Sequence, residues 1–411
     1  MPTDHPQLAF ALDVVTKLRA AGFEALWAGG CVRDQLLGLE PKDYDVATSA
    51  TPDEIRNIFG RRRTLAIGAS FGVITVLGPR RAGQIEVATF RSDAAYSDGR
   101  RPDSVTFTNA REDAARRDFT INGLFYDPVA DEVVDYVGGR DDIAAKVIRA
   151  IGDPRARLSE DRLRMLRAVR FAATFGFTIE PATLAAIQHT AAEVTTVSPE
   201  RIGMEIRRML VDRNRATALD FLRAAKLLEH VLPELAALAP ADWQEARRVS
   251  AALDEPTLPL ALAALLVTTN GPAGTIGRRL RYTNKEIDRT AWLLANLDAL
   301  RQAAAIPWPR LQRLLTHDGA GELLALHAAV AGPDDAALAF CRERFAWPAE
   351  QLNPPPLVDG ADLIAHGLAP GPDFSRLLDI VRDAQIEGQI NTRTEALALV
   401  DRILAGGREA S

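Results

Sequence analysis

Cysteine is almost missing from this 411-residue chain, which has only Cys31 and Cys341. Two cysteines exclude a disulfide framework and a cysteine-ligated zinc site. No run of about 18 apolar residues occurs, so no transmembrane helix is expected. The opening MPTDHPQLAF lacks the basic and then apolar stretches of a secretory leader. These absences together predict a cytoplasmic protein. Histidine is scarce too, and His5, His189, His230, His317, His327 and His366 form no cluster at metal-ligand spacing. Lysine supplies only Lys17, Lys42, Lys146, Lys226 and Lys285 of the 49 basic residues.

What replaces lysine is arginine, whose planar fork suits bidentate contacts to phosphates and base edges. Coding bias accounts for most of these arginines. A net charge of −6 argues against indiscriminate nucleic-acid binding, yet the distribution of charge counts for more than the sum. Composition alone leaves RNA binding open. Length suggests about two to four domains.

Residues 1 to about 150 read as mixed α/β. FEALWAGG, FGVITVLG and QIEVATF are β-branched apolar runs, while TPDEIRNIF is a helix capped by Thr51 with Pro52 in its first turn. DPVADEVVDYVGG reads as a hairpin with an acidic turn. Beyond residue 150 strand signals nearly vanish, and helices follow, with Ser159 and Ser198 as expected N-caps.

Three features carry chemistry. Gly29 and Gly30, between a strand and a short helix ending at Gly38, let backbone N–H groups approach a phosphate closely. Arg33 is expected to meet phosphate, with Asp34 holding it. In KDYDVA, Asp43 and Asp45 point to one face of an extended segment, and two such carboxylates repel unless a cation lies between them. Hard Mg²⁺ takes oxygen ligands and couples to substrate phosphates. Glu86, the only acid in QIEVATF, is expected as a third carboxylate, with Ile85 and Val87 facing the other way.

Gly-Gly-x-Val-Arg-Asp followed by Asp-x-Asp resembles the class II nucleotidyltransferases of the polymerase-β superfamily: tRNA CCA-adding enzymes and bacterial poly(A) polymerases. Further motifs are similar in order: FRSDAAYSDGRRPDSVTF, a flexible loop with Tyr96, Asp98, Arg100 and Arg101; RRDFTINGLFYDP; GGRDDI; EDRLRMLRAVRF; and SPERIGMEIRRML. The resemblance implies an α+β fold, with a polymerase-β-like head of mixed sheet and flanking helices at 1–148. A helical neck at 149–220, a helical body at 221–350 and a tRNA-binding helical tail at 351–411 would follow. It implies that Asp43 and Asp45 bind metal, and that Arg117, Asp118 and Asn122 contact the nucleotide. The expected activity is two-metal, template-independent addition of C and A to tRNA, with CTP and ATP as substrates and Mg²⁺ as cofactor.

In the helix expected at EDRLR, Leu163, Leu166, Val169 and Ala173 make an apolar stripe, with Asp161 and Arg164 together off it. A carboxylate only accepts hydrogen bonds and a guanidinium only donates. The pair therefore complements an exocyclic amine beside a ring-nitrogen acceptor, the edge of cytosine and adenine. Uracil and guanine reverse that edge. For Glu160 a bland role beside the helix dipole is expected.

The alternatives are a poly(A) polymerase, an enzyme adding only the final A, and an RNA-binding scaffold with a decayed head. IGASFGV and the absence of basic extensions favour the CCA type over poly(A) polymerase. The loop residues listed above favour competence for A addition, without excluding the A-only enzyme. Retention of Asp43, Asp45 and Asp161 opposes decay. The single His-Asp pair, His317–Asp318, reads as a helix-end or turn pair rather than an HD phosphohydrolase site.

Overall fold

The computed structural model describes residues 6–93, 105–269, 273–371 and 373–408. The chain divides into two compact units: Met1–Trp243 with Arg278–Tyr282, and Gln244–Gly277 with Thr283–Ser411.

In the first unit the apolar runs become strands β1 (Ala25–Ala28), β2 (Asp45–Thr48), β3 (Thr64–Gly68), β4 (Val73–Leu77), β5 (Gln84–Thr89), β6 (Arg91–Asp93), β7 (Val105–Phe107), β8 (Leu124–Asp127) and β9 (Glu132–Asp135). All but β6 and β7 join one seven-stranded sheet of order β3-β4-β5-β2-β1-β8-β9. β2 and β5 run parallel, and the other neighbours run antiparallel. The β8–β9 hairpin has the expected acidic turn, in which Asp127 Oδ1 accepts from the N–H groups of Val129 and Ala130.

Alternation along the strands separates two faces. Val46, Ile74, Val76, Ile85 and Val87 bury one face against Phe10, Val14, Val15 and Leu18 of α1 (Pro6–Ala20). Helix α2 (Gly30–Leu36) follows β1, and α3 (Pro52–Phe59) adds Ile55 and Phe59 to that core. Thr51 and Glu54 form a reciprocal capping box on α3, with Pro52 in the first turn. The other face packs Leu26, Ala28, Ala47 and Phe125 against Ala110 and Ala114 of α4 (Ala110–Ala115).

Past the sheet come α5 (Gly139–Ala145), α6 (Pro154–Glu160), α7 (Leu163–Phe175), α8 (Pro181–Thr190), α9 (Pro199–Leu210) and α10 (Arg215–Ala224). The stripe of Leu163, Leu166, Val169 and Ala173 is buried, and α7 packs on α9 and α10. Ser198 caps α9 in position, with Pro199 in its first turn. Two local expectations fail. EDRLR is not one helix, because α6 ends at Glu160 and α7 starts at Leu163, leaving Asp161 extended between them at φ −147°. Ser159 is therefore no cap. It lies inside α6, its hydroxyl donating to the Ala156 carbonyl, while the Asp153 side chain accepts from the Ala156 N–H as the true cap.

The second unit is helical throughout its described residues. One core gathers Leu260, Leu293, Leu297, Leu311, Leu323 and Leu338, and a separate one gathers Val358, Leu363, Leu377, Val381, Ile390 and Val400. His317 follows the helix Trp308–Thr316, and its Nδ1 accepts from the Gly319 N–H at 3.0 Å, so it is a turn residue as expected.

Candidate active site

Tyr44 is buried, with its ring edge-on to Trp27 at 5.1 Å, while its neighbours Asp43 and Asp45 are exposed. That alternation is the pleat expected of KDYDVA. Asp45 opens β2, and its register partner on parallel β5 is Glu86. Ile85 and Val87 turn into the core, which leaves Glu86 on the side of Asp45. The Asp45 carboxyl is closely surrounded by protein although the residue reaches the surface. Burial, then the charge of Glu86, and more weakly that of Asp43, push it up to about 6 against the pull of Arg117. The repulsion that Arg117 leaves uncancelled is what a bound divalent ion would relieve. Among the described residues no three His, Cys, Asp or Glu side chains form a ready-made metal cage. The Asp43 and Asp45 carboxylates fit Mg²⁺, which is commonly held by one or two carboxylates with substrate phosphates and water.

Between β1 and α2, Gly29 adopts φ 71°, ψ −119° and donates its N–H to the Leu124 carbonyl at 2.9 Å. A Cβ there would lie 2.7 Å from Arg117 Nη1, so glycine admits the guanidinium beside the turn. Gly30 begins α2. One turn on, Arg33 is buried over the Phe175 and Phe171 rings at 4.6 and 5.3 Å. Its Nε and Nη2 donate to Asp34 Oδ1 at 2.9 and 2.7 Å, and its Nη1 to Asn122 Oδ1 at 2.6 Å. Asp34 thus holds Arg33.

After α4, Arg117 pairs with Asp113 Oδ2 at 3.0 Å and donates to the Asn122 carbonyl at 3.1 Å. Burial would raise the Asp113 carboxyl, but Arg117 and Arg116 outweigh it and hold it low. Asp118 is buried as well. Burial alone would raise it, yet the charge of Arg167 and hydrogen bonds from Asn122, Arg167 and the Phe119 N–H bring it to about 2. Its Oδ2 takes Arg167 Nε and Nη2 at 2.8 and 2.6 Å, and its Oδ1 takes Asn122 Nδ2 at 3.0 Å. Asp118 and Asn122 therefore fix the arginines around them.

These groups surround one open cavity of about 560 Å³. Its lining brings together Gly29, Gly30, Arg33, Asp45, Arg117, Asp118, Asn122, Asp161 and Arg164. Asp34 sits behind Arg33, and Asp43 and Glu86 lie outside the lining. Tyr96, Asp98, Arg100 and Arg101 lie outside the described residues. The cavity also holds Arg116, Arg167 and Arg201, which the sequence reading missed. Arg116 sits in RRDFT, Arg167 one turn beyond Arg164, and Arg201 in SPERIG, so each lay inside a recognised motif. Asp161 Oδ2 accepts Arg201 Nη2 at 2.7 Å, and Arg164 is paired with Glu160.

A mixed sheet carrying paired acids, a Gly-Gly turn and a cavity rich in arginine define a nucleotidyltransferase. Residues 25–149 match the family model described as the Poly A polymerase head domain, and 176–238 match the probable RNA and SrmB-binding site of polymerase A. The CCA-adding enzyme of Latilactobacillus sakei is 35% identical over 403 residues, covering 97% of this chain and 98% of that one. That of Geobacillus thermodenitrificans is 35% identical over 402 residues, covering 95% and 96%. A crystal structure of the Bacillus stearothermophilus CCA-adding enzyme in complex with CTP is 30% identical, with a TM-score of 0.80 over 98% of this chain and 99% of that one. The chain belongs to the family of CCA-adding enzymes.

Proposed function

We propose that this enzyme adds C and A to the 3′ end of tRNA from CTP and ATP without a nucleic-acid template, using Mg²⁺ held at Asp43 and Asp45. One observation carries the reading: Asp161 and Arg164, an acceptor–donor pair suited to cytosine and adenine, line the cavity that Asp45 enters. The B. stearothermophilus relative was solved with CTP, which supports a nucleotide in the corresponding cavity.

The triphosphate lies along the Gly29–Gly30 turn, where the N–H groups of the first turn of α2 and the arginines that line the cavity, Arg117 among them, attract it. Asp161 accepts from the exocyclic amine of the base, and Arg164 donates to its ring nitrogen. The oxygen of the primer 3′-hydroxyl bonds to the α-phosphorus, pyrophosphate leaves, and the hydroxyl proton is released. A divalent cation, when bound, acidifies that hydroxyl and offsets charge on the leaving group. Glu86 completes the acidic side of the site. No protein nucleophile is required.

The test offers tRNA ending before CCA, after C and after CC, with each NTP separately. Incorporation of C on the first two and A on the third is expected. Extension of only the CC-ended tRNA by ATP would indicate an A-only enzyme, and long A tails on unrelated RNA a poly(A) polymerase.

A further inference from the structure

Asp161 and Arg164 carry opposite charges three residues apart, and the Arg164 N–H donates to the Asp161 carbonyl at 3.0 Å. Opposite charges that close along the chain attract. Paired with each other, they would spend on themselves the acceptor and donors that a base needs.

Instead each is engaged elsewhere. Asp161 Oδ2 and Oδ1 accept Arg201 Nη2 and Nη1 at 2.7 and 3.2 Å, and Oδ1 also takes the Leu163 N–H at 3.0 Å. Arg164 Nη1 donates to the Arg157 carbonyl at 2.7 Å and to Glu160, and its Nη2 to the Arg116 carbonyl at 3.4 Å. The Arg201–Asp161 pair is well shielded, with side-chain exposures of 21% and 16%. Arg167 is also within electrostatic reach of Asp161, but its Nε and Nη2 are committed to Asp118. Arg201 comes from α9, a different element from the α6–α7 break where Asp161 lies. A carboxylate offers about four acceptor positions, and the guanidinium five N–H donors. Three contacts on Asp161 leave room for one exocyclic amine, and Arg164 keeps donors for a ring nitrogen.

We propose that Arg201 is a positioning residue for nucleotide choice: it holds the Asp161 carboxylate apart from Arg164, so both stay open to the base. The inference rests on the proposed C and A addition. Loss of Arg201 frees Asp161 to fold onto Arg164, and the two then favour no base edge.

The experiment measures kcat/KM for CTP and UTP on tRNA ending before CCA, and for ATP and GTP on tRNA ending in CC. Wild type, Arg201→Met and Arg201→Lys are compared, with circular-dichroism melts of each. In Arg201→Met the preferences for CTP over UTP and ATP over GTP are expected to fall roughly tenfold or more, through lost uptake of the correct nucleotide and gained uptake of the wrong one. Arg201→Lys, which keeps the charge, is expected to recover part of the preference, and it decides the matter if the methionine variant does not fold. Equal losses with all four nucleotides, or preferences unchanged in both variants, would overturn the role. A wild type that incorporates neither C nor A would instead sink the reading of function, and this inference with it.

Discussion

Asp45 and Glu86 are register partners on two parallel strands, and burial followed by the charge of Glu86 raises the Asp45 carboxyl. This makes Glu86 testable apart from the aspartates. Asp43→Ala is expected to abolish incorporation while tRNA binding stays near normal. Glu86→Gln removes one charge and keeps the shape, and is expected to lower kcat roughly 100-fold and raise the Mg²⁺ concentration needed for half-maximal rate. Rates of single-nucleotide incorporation across a Mg²⁺ titration check both. An unchanged Mg²⁺ midpoint in Glu86→Gln would make Glu86 a bystander on the sheet.

Asp118 binds Arg167 in the cavity wall, and its carboxyl falls from the ordinary 3.8 to about 2. A depressed carboxyl contributes stability above its unfolded value, lost as pH falls through the folded one. The window therefore runs from about pH 4 down to about pH 2. Asp118→Asn is expected to destabilise the protein by about 2 kcal/mol at pH 7. The deficit should narrow as wild type is acidified below pH 4, measured by urea unfolding across pH. A deficit constant over that range would mean that shape rather than charge was lost.

Much of the head was legible because local chemistry and tertiary outcome agree. The alternation of Asp43, Tyr44 and Asp45 specified a pleat, and Thr51 and Pro52 specified a helix start. The break at Asp161 was not legible, since SEDRLRMLRAVRF contains neither glycine nor proline and most of its residues are good helix formers. Arg201, which holds Asp161, lies 40 residues away in sequence, and Arg167 reaches Asp118 across 49. Both lie inside recognised motifs, but in a chain so rich in arginine nothing local singles them out from the other arginines there. The cap at Asp153, followed by Pro154, could have been read and would have displaced Ser159 from that role.

Gly29 combines a positive φ with a close neighbour, so Gly29→Ala meets two obstacles. The backbone conformation, with positive φ and ψ far from the left-handed helix, costs about 1–3 kcal/mol for a residue with a Cβ. The new methyl also displaces Arg117 Nη1 from beside the turn. Because the guanidinium is the flexible end of its side chain, the fold is expected to survive. KM for both CTP and ATP is expected to rise roughly tenfold, with the preference between nucleotides unchanged. Steady-state kinetics with each nucleotide check this, and a changed preference would place Arg117 against the base rather than the phosphates.

Gly203 has a different reason to be glycine. It lies in α9, two residues from Arg201, where a Cβ would fall 2.1 Å from the Leu280 carbonyl oxygen and 3.2 Å from its carbonyl carbon. The obstacle is backbone, which cannot swing aside as a guanidinium can. Gly203→Ala must therefore push α9 from the Leu280 segment, at a cost of about 2 kcal/mol. Gly321, inside the helix Ala320–Ala331, has nothing within 4 Å of its Cβ position. There Gly321→Ala is expected to be neutral or to stabilise by about 0.5 kcal/mol through helix propensity. Thermal melts of the two variants should move in opposite directions. If both rise, α9 tolerates the displacement, and the close approach to Leu280 is not what fixes the helix that carries Arg201.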